Sequence, residues 1–169
     1  MNVKEAEQLF FRAMLAGYAT DALAQPIPGM PGYKLHSHTE GPYTLTDCYW
    51  TTKHSNQSYG ETVITYDGQP IWHMRYGGAY PKFVIPFLKQ VLESTYRLGH
   101  FCGGRGEYDE CQVDQDDDSI IKIWYENTCD MSSSFTSFGG GESICTFEHG
   151  KKVIGHHAFQ GRWLVKMKG

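Results

Sequence analysis

A seven-residue stretch occurs twice in this chain, and that repetition restricts the fold more than any other feature. Gly60-Glu61-Thr62-Val63-Ile64-Thr65-Tyr66 returns as Gly141-Glu142-Ser143-Ile144-Cys145-Thr146-Phe147, with three identical positions and three conservative ones. Each copy is followed by a turn glycine (Gly68, Gly150), an aliphatic residue (Ile71, Val153), a histidine (His73, His156) and an aromatic-x-Gly ending (Tyr76-Gly77-Gly78, Phe159-Gln160-Gly161). A single Asp precedes each copy, Asp47 and Asp130. Such a spacing is too long for a solenoid or propeller unit and suits two copies of a half-domain. In 169 residues the halves share one core, so we expect a single domain, 1–169, built from about 4–80 and 81–165.

Local patterning fills in those halves. Residues 4–19 place Ala6, Leu9, Phe10, Ala13, Met14 and Gly17 at helical spacing, with fraying at Gly17 and Tyr18. The Pro/Gly-rich stretch 25–32 predicts an ordered loop. Period two then takes over: Tyr43, Leu45, Asp47 and Tyr49 alternate with Thr44, Thr46, Cys48 and Trp50, followed by Thr62/Ile64/Tyr66 and Trp72/Met74/Tyr76. Asp67-Gly68 is a two-residue hairpin signal, and Glu148-His149-Gly150 is a loop one residue longer. Residues 84–96 predict a second helix, with Pro81 or Pro86 in its first turn. Strands are expected again at 108–113, 119–128, 133–138, 142–147 and 152–160. The expected class is α+β: a pseudo-two-fold duplication of a helix plus three or four antiparallel strands, giving a curved antiparallel sheet with two helices on one face.

Composition narrows the function. The chain is mildly acidic, −4, and shows no Lys/Arg stripe, so nucleic acid is not an expected partner. The N-terminal residues lack an apolar signal run, and no segment reaches the roughly 18 apolar residues of a membrane span. Five scattered cysteines without a C-x-x-C read as reduced core fillers, Cys102–Cys111 being the only short loop a disulfide would close. We therefore expect a cytoplasmic protein.

The pattern Gly60-Glu61-x-Val63-x-x-Tyr66-x-Gly68-x-Pro70-Ile71-Trp72-x-Met74-x-Tyr76-x-Gly78, with the opening helix Leu9-Phe10-Phe11-Arg12-Ala13-Met14-Leu15-Ala16-Gly17-Tyr18-Ala19, resembles a family of uncharacterised bacterial domains. Members occur alone or C-terminal to helix-turn-helix regulators. The likeness covers roughly residues 5–98, and this chain has no room for a helix-turn-helix segment. The family carries no established activity, so the resemblance implies no catalytic residues.

Candidate chemistry rests on a few constellations. Tyr43, Tyr49, Trp72, Met74 and Tyr76 fall on one strand face, which either packs under the helices or lines a pocket. Asp47 shares that face, and a carboxylate among aromatics must be paired, protonated or at a water-filled pocket. An aromatic pocket with one acid suits a small organic ligand. Glu61 and Glu142 recur after glycine; they serve a turn, or they form a symmetric carboxylate pair whose pKa values are pushed apart for acid/base work. His36-Ser37-His38 and His156-His157 lack partners at metal-ligand spacing, so neither metal nor other cofactor is expected. Asp114-Gln115-Asp116-Asp117-Asp118 imitates a calcium loop but has Ser119 where glycine belongs. Gly103-Gly104-Arg105-Gly106 lacks the Gly-Lys-Ser/Thr ending of a phosphate loop. The leading expectation is a small-molecule-binding module using Tyr43, Asp47, Tyr49, Glu61, Trp72, Met74, Tyr76 and Glu142. The alternatives are an enzyme using paired carboxylates and a histidine, and an interaction module that forms a homodimer.

Overall fold

The computed structural model describes residues 1–17, 24–114, 120–130, 132–147 and 150–166. Tyr18 and Ala19, the calcium-like run at 115–119 and the turn residues Glu148-His149 lie outside the described residues. In chain order the elements are α1 (Val3–Ala16), β1 (Gln25–Pro26), β2 (Tyr33–Glu40), β3 (Tyr43–Thr51), β4 (Gln57–Tyr66), β5 (Gln69–Ala79), α2 (Ile85–Leu98), β6 (Asp109–Asp114), β7 (Ile120–Asn127), β8 (Ser137–Thr146) and β9 (Lys152–Trp163).

Local chemistry accounts for most boundaries. Asn2 caps α1, its side chain accepting from the Lys4 amide at 2.9 Å. A 3-10 turn, Lys82–Val84, leads into α2, which carries a proline in its first turn and ends at Gly99 in the left-handed conformation. Asp67 and Gly68 both take positive φ, 48° and 74°, as a type I′ turn between β4 and β5 demands.

The expected α+β class is corrected by the sheet. Among the described residues all nine strands join one antiparallel sheet in the order β1-β2-β3-β4-β5-β9-β8-β7-β6, and the sheet dominates, with two α-helices laid against it. Two smaller readings change as well. Gln25–Pro26 pairs with Lys34 and Leu35 inside the expected loop. The segments 133–138 and 142–147 are not separate strands: β8 runs unbroken through Gly139-Gly140-Gly141, because each pairs with β9.

The repeat itself is out of phase with the pleat. In β4 the inward residues are Gly60, Thr62 and Ile64; in β8 they are Glu142 and Ile144. Glu61, matched to Glu142 in sequence, points to the opposite face. Tyr66 packs against Tyr43, whereas its counterpart Phe147 is 67% exposed. A one-residue slip reverses every side chain, so sequence likeness in these strands does not translate into equivalent packing.

One face of the sheet carries the core. Leu45, Ile64, Trp72, Met74, Phe159, Ile144 and Tyr125 are buried with the apolar sides of α1 and α2. Phe10 sits where the layers meet, 5.4 Å from the Trp72 ring and 5.8 Å from Tyr96; truncating such a residue to Ala costs about 3–5 kcal/mol. On the other face Tyr33, Trp50 and Tyr59 stack across neighbouring strands at 5.1 and 6.0 Å. The five cysteines are free thiols. Among the described residues no helix is long and apolar enough to cross a membrane.

Candidate functional site

One inward row crosses the middle of the sheet. Pairing sets Ser58 opposite Gly78, Gly78 opposite His157, and His157 opposite Glu142. Gly78 leaves no side chain in this row; a Cβ there would lie 2.1 Å from the His156 carbonyl oxygen. The His157 ring spans the gap, and its Nε2 lies 3.0 Å from Ser58 Oγ. Its Nδ1 is 3.5 Å from Glu142 Oε1 but makes no hydrogen bond.

Glu142 is held by residues from elsewhere in the chain. The Gly103-Gly104-Arg105-Gly106 loop enters the core because Gly103 and Gly104 adopt left-handed φ of 66° and 71°. It delivers Arg105, 2% exposed, to Glu142, 1% exposed. Nε and Nη2 donate to the two carboxylate oxygens at 2.9 and 2.6 Å, and the Tyr125 hydroxyl donates to Oε2. Burial opposes ionisation of Glu142, but the Arg105 charge outweighs it and holds the carboxyl below its usual range. For His157 burial and the nearby Arg105 charge act together, pushing the imidazole down to about 3.

Asp47 forms a second buried polar centre. Its Oδ1 accepts from Thr62 Oγ1 at 2.7 Å and from the Tyr76 hydroxyl at 2.9 Å, while Oδ2 is buried without a hydrogen-bond partner. Burial raises its pKa against the pull of those two donors. Tyr76 reaches Asp47 by lying across Gly60, where a Cβ would be 2.4 Å from the phenol carbon Cζ. The Arg105 guanidinium stands 5.3 Å from the centroid of the Tyr76 ring.

Above these centres, a cavity of about 350 Å³ opens between the sheet and both helices. Tyr49, Tyr76 and Tyr80 supply its aromatic surface, and Met14 and Ile85 its apolar helical side. Ser58, His157 and Arg105 close the inner end, and hydroxyl and amide side chains between Thr51 and Gln57 line the rim. Lys34, Lys82 and Lys89 face the space, and no carboxylate occurs among the described lining residues. A second depression, about 390 Å³, is bordered by Glu107, Glu126 and Asp130. Its Cys102 thiol is raised to about 12 by burial and by Glu107, which removes it as a nucleophile at neutral pH. The first cavity is the better candidate because buried polar groups converge on it.

The expected site residues separate accordingly. All of the aromatic set shares one sheet face, but only Tyr49 and Tyr76 line the cavity, with Asp47 directly behind Tyr76. Trp72 and Met74 are core: Trp72 stacks on Phe135 and donates its indole N–H to the Phe135 carbonyl at 2.7 Å. Tyr43 is anchored to α1, donating to Glu5 and accepting from the Asn2 amide. The Glu61/Glu142 pair does not form. Glu61 is on the outer face beside His73 and Arg75, while Glu142 is buried on the inner one. The lysines, Ser58, Arg105 and His157 were not singled out as site residues from sequence. The one available signal was an arginine set among three glycines, which marks a loop able to approach the core closely.

Ser58, His157 and Glu142 have the order of a nucleophile, base and orienting acid, but not the electrostatics. Glu142 is committed to Arg105, and an imidazole pushed to about 3 resists the positive charge that a general base must accept. No protein-family model matches this chain, and neither a curated protein nor a solved structure matches it.

Proposed function

We propose that this chain is a small-molecule-binding module whose ligand occupies the cavity between the sheet and the helices. The observation that carries the reading is a space of about 350 Å³ in which three tyrosines, Ser58, His157 and Arg105 converge. That volume is at the lower end of the about 300–1,000 Å³ usual for ligand pockets. The suppressed basicity of His157 and the separation of Glu61 from Glu142 favour binding over acid/base catalysis. The five free thiols support a cytoplasmic setting. Membership of the bacterial domain family resembled above is part of the same proposal and rests on the motif at 60–78, in the β4–β5 hairpin, together with that at 9–19.

The test is a metabolite library screened by thermal shift. A ligand present at 100 times its Kd stabilises by about 2.7 kcal/mol, a clear rise in Tm, and Tyr49→Ala should erase it. If no compound raises the Tm, or if Tyr49→Ala leaves every shift intact, the reading fails.

A further inference from the structure

We propose that the ligand is an organic anion with a planar, single-ring body and a carboxylate or phosphate head; this rests on the binding reading above and names its chemical class. The charge around the cavity carries the inference. Acids outnumber bases in the whole chain, 19 to 15. Yet Lys34, Lys82, Lys89 and Arg105 line this space with no carboxylate among its described lining residues. The three lysines come from β2, the turn before α2, and α2 itself, so only the folded chain concentrates them. Arg105 adds little net charge because Glu142 pairs both its donating nitrogens. The recognising charge is therefore on Lys34 and Lys82, and electrostatic focusing in a cleft of one sign enriches the opposite charge.

The walls specify the rest. Tyr49 faces the space from β3, with Lys34 Nζ 5.7 Å from its ring centroid. Beside it stand Tyr76 and Tyr80, each in ring contact with His157, at 6.1 and 4.6 Å. Flat aromatic walls select a flat partner. The volume, about 350 Å³, is ample for a ring carrying a short substituent. At the inner end a ring substituent meets the Ser58 hydroxyl, which lies 3.0 Å from His157 Nε2.

Calorimetry on the full chain decides this, with three matched probe sets: single-ring aromatic carboxylates such as para-hydroxybenzoate, their primary amides, and phosphate monoesters such as phenyl phosphate. One anionic set should bind at least about tenfold more tightly than the amides, and the tighter set identifies the head group. Lys34→Gln and Lys82→Gln, both at exposed positions, should each weaken it about three- to tenfold and flatten its salt dependence. The Tm of each unliganded variant should match the parent, which keeps folding out of the result. Amides binding as tightly as the acids would overturn the anionic assignment while leaving the pocket reading standing. Anion binding unmoved by both lysine variants would overturn it too, by placing the site elsewhere. Binding by no member of any set would overturn the assignment, while the pocket reading stands or falls on the library screen and Tyr49→Ala.

Discussion

Replacing His157 with glutamine should change how stability depends on pH, by an amount the structure sets. The folded imidazole is held at about 3, against 6.5 for the ordinary side chain, by burial and the Arg105 charge. Between those values the unfolded chain binds a proton that the folded chain refuses. Stability from this residue is therefore full above about pH 6.5, declines as pH falls through the window, and is lost below about pH 3. At about pH 5 the accumulated loss is ~2 kcal/mol. Asp47 acts with the opposite sign: its raised folded pKa makes the folded chain take up a proton first, so its contribution grows as pH falls. The parent profile sums both, and the difference between parent and His157→Gln isolates the imidazole. Glutamine keeps an amide within reach of Ser58, and any packing loss against Tyr80 adds a constant offset. Urea titrations between about pH 8 and pH 5 should show the parent-minus-variant stability shrinking by ~2 kcal/mol. Asp47→Asn should show a change of the opposite sign. A parent-minus-His157→Gln difference that stays flat across that range would refute the claim that the ring is kept neutral.

Two further outcomes follow from the buried contacts. Arg105→Met leaves the buried Glu142 without its opposite charge, the Tyr125 hydroxyl being the donor that remains, and should destabilise by about 3–5 kcal/mol in urea unfolding, while adding Glu142→Gln should recover much of the loss; a single-variant cost below about 1 kcal/mol would contradict the pairing. Gly60→Ala places a Cβ 2.4 Å from the Tyr76 ring. It should cost about 1–3 kcal/mol in thermal melts and detach the Tyr76 hydroxyl from Asp47 in a crystal structure, and an unchanged melt would show that the ring does not need the open glycine.

Period-two alternation made β3, β4 and β5 legible, because one face of each is buried, and helical spacing did the same for α2. Tyr49 and Tyr76 were legible as cavity residues for the same reason. The duplication misleads at one point: matching Gly60-Glu61 to Gly141-Glu142 gives both glutamates one phase, whereas Glu61 faces outward beside His73 and Arg75 and Glu142 is buried. A residue of slip cannot be seen in an alignment of short, similar strands, yet it decides which glutamate is buried. The positive side of the cavity was illegible because its lysines stand at 34, 82 and 89, none beside another in sequence. Arg105 was hidden differently, since a glycine-rich loop reads as exposed until Gly103 and Gly104 are seen to bring it inward.

The pairing of β5 with β9 has a kinetic consequence. Strands β2 to β5 each pair with a sequence neighbour, as do β6 to β9, and such hairpins close within about 1–10 μs. The seam between the two meanders instead joins residues 72–79 to 156–163, so it bears the largest loop-closure entropy in the sheet. Ser58 and Tyr76 stand on one side of that seam, Arg105 and His157 on the other. The cavity therefore comes into being only when the two meanders dock, and it is lost at the first parting of β5 from β9. A compound bound there acts as a latch on the seam: it slows unfolding and leaves the rate of folding nearly untouched.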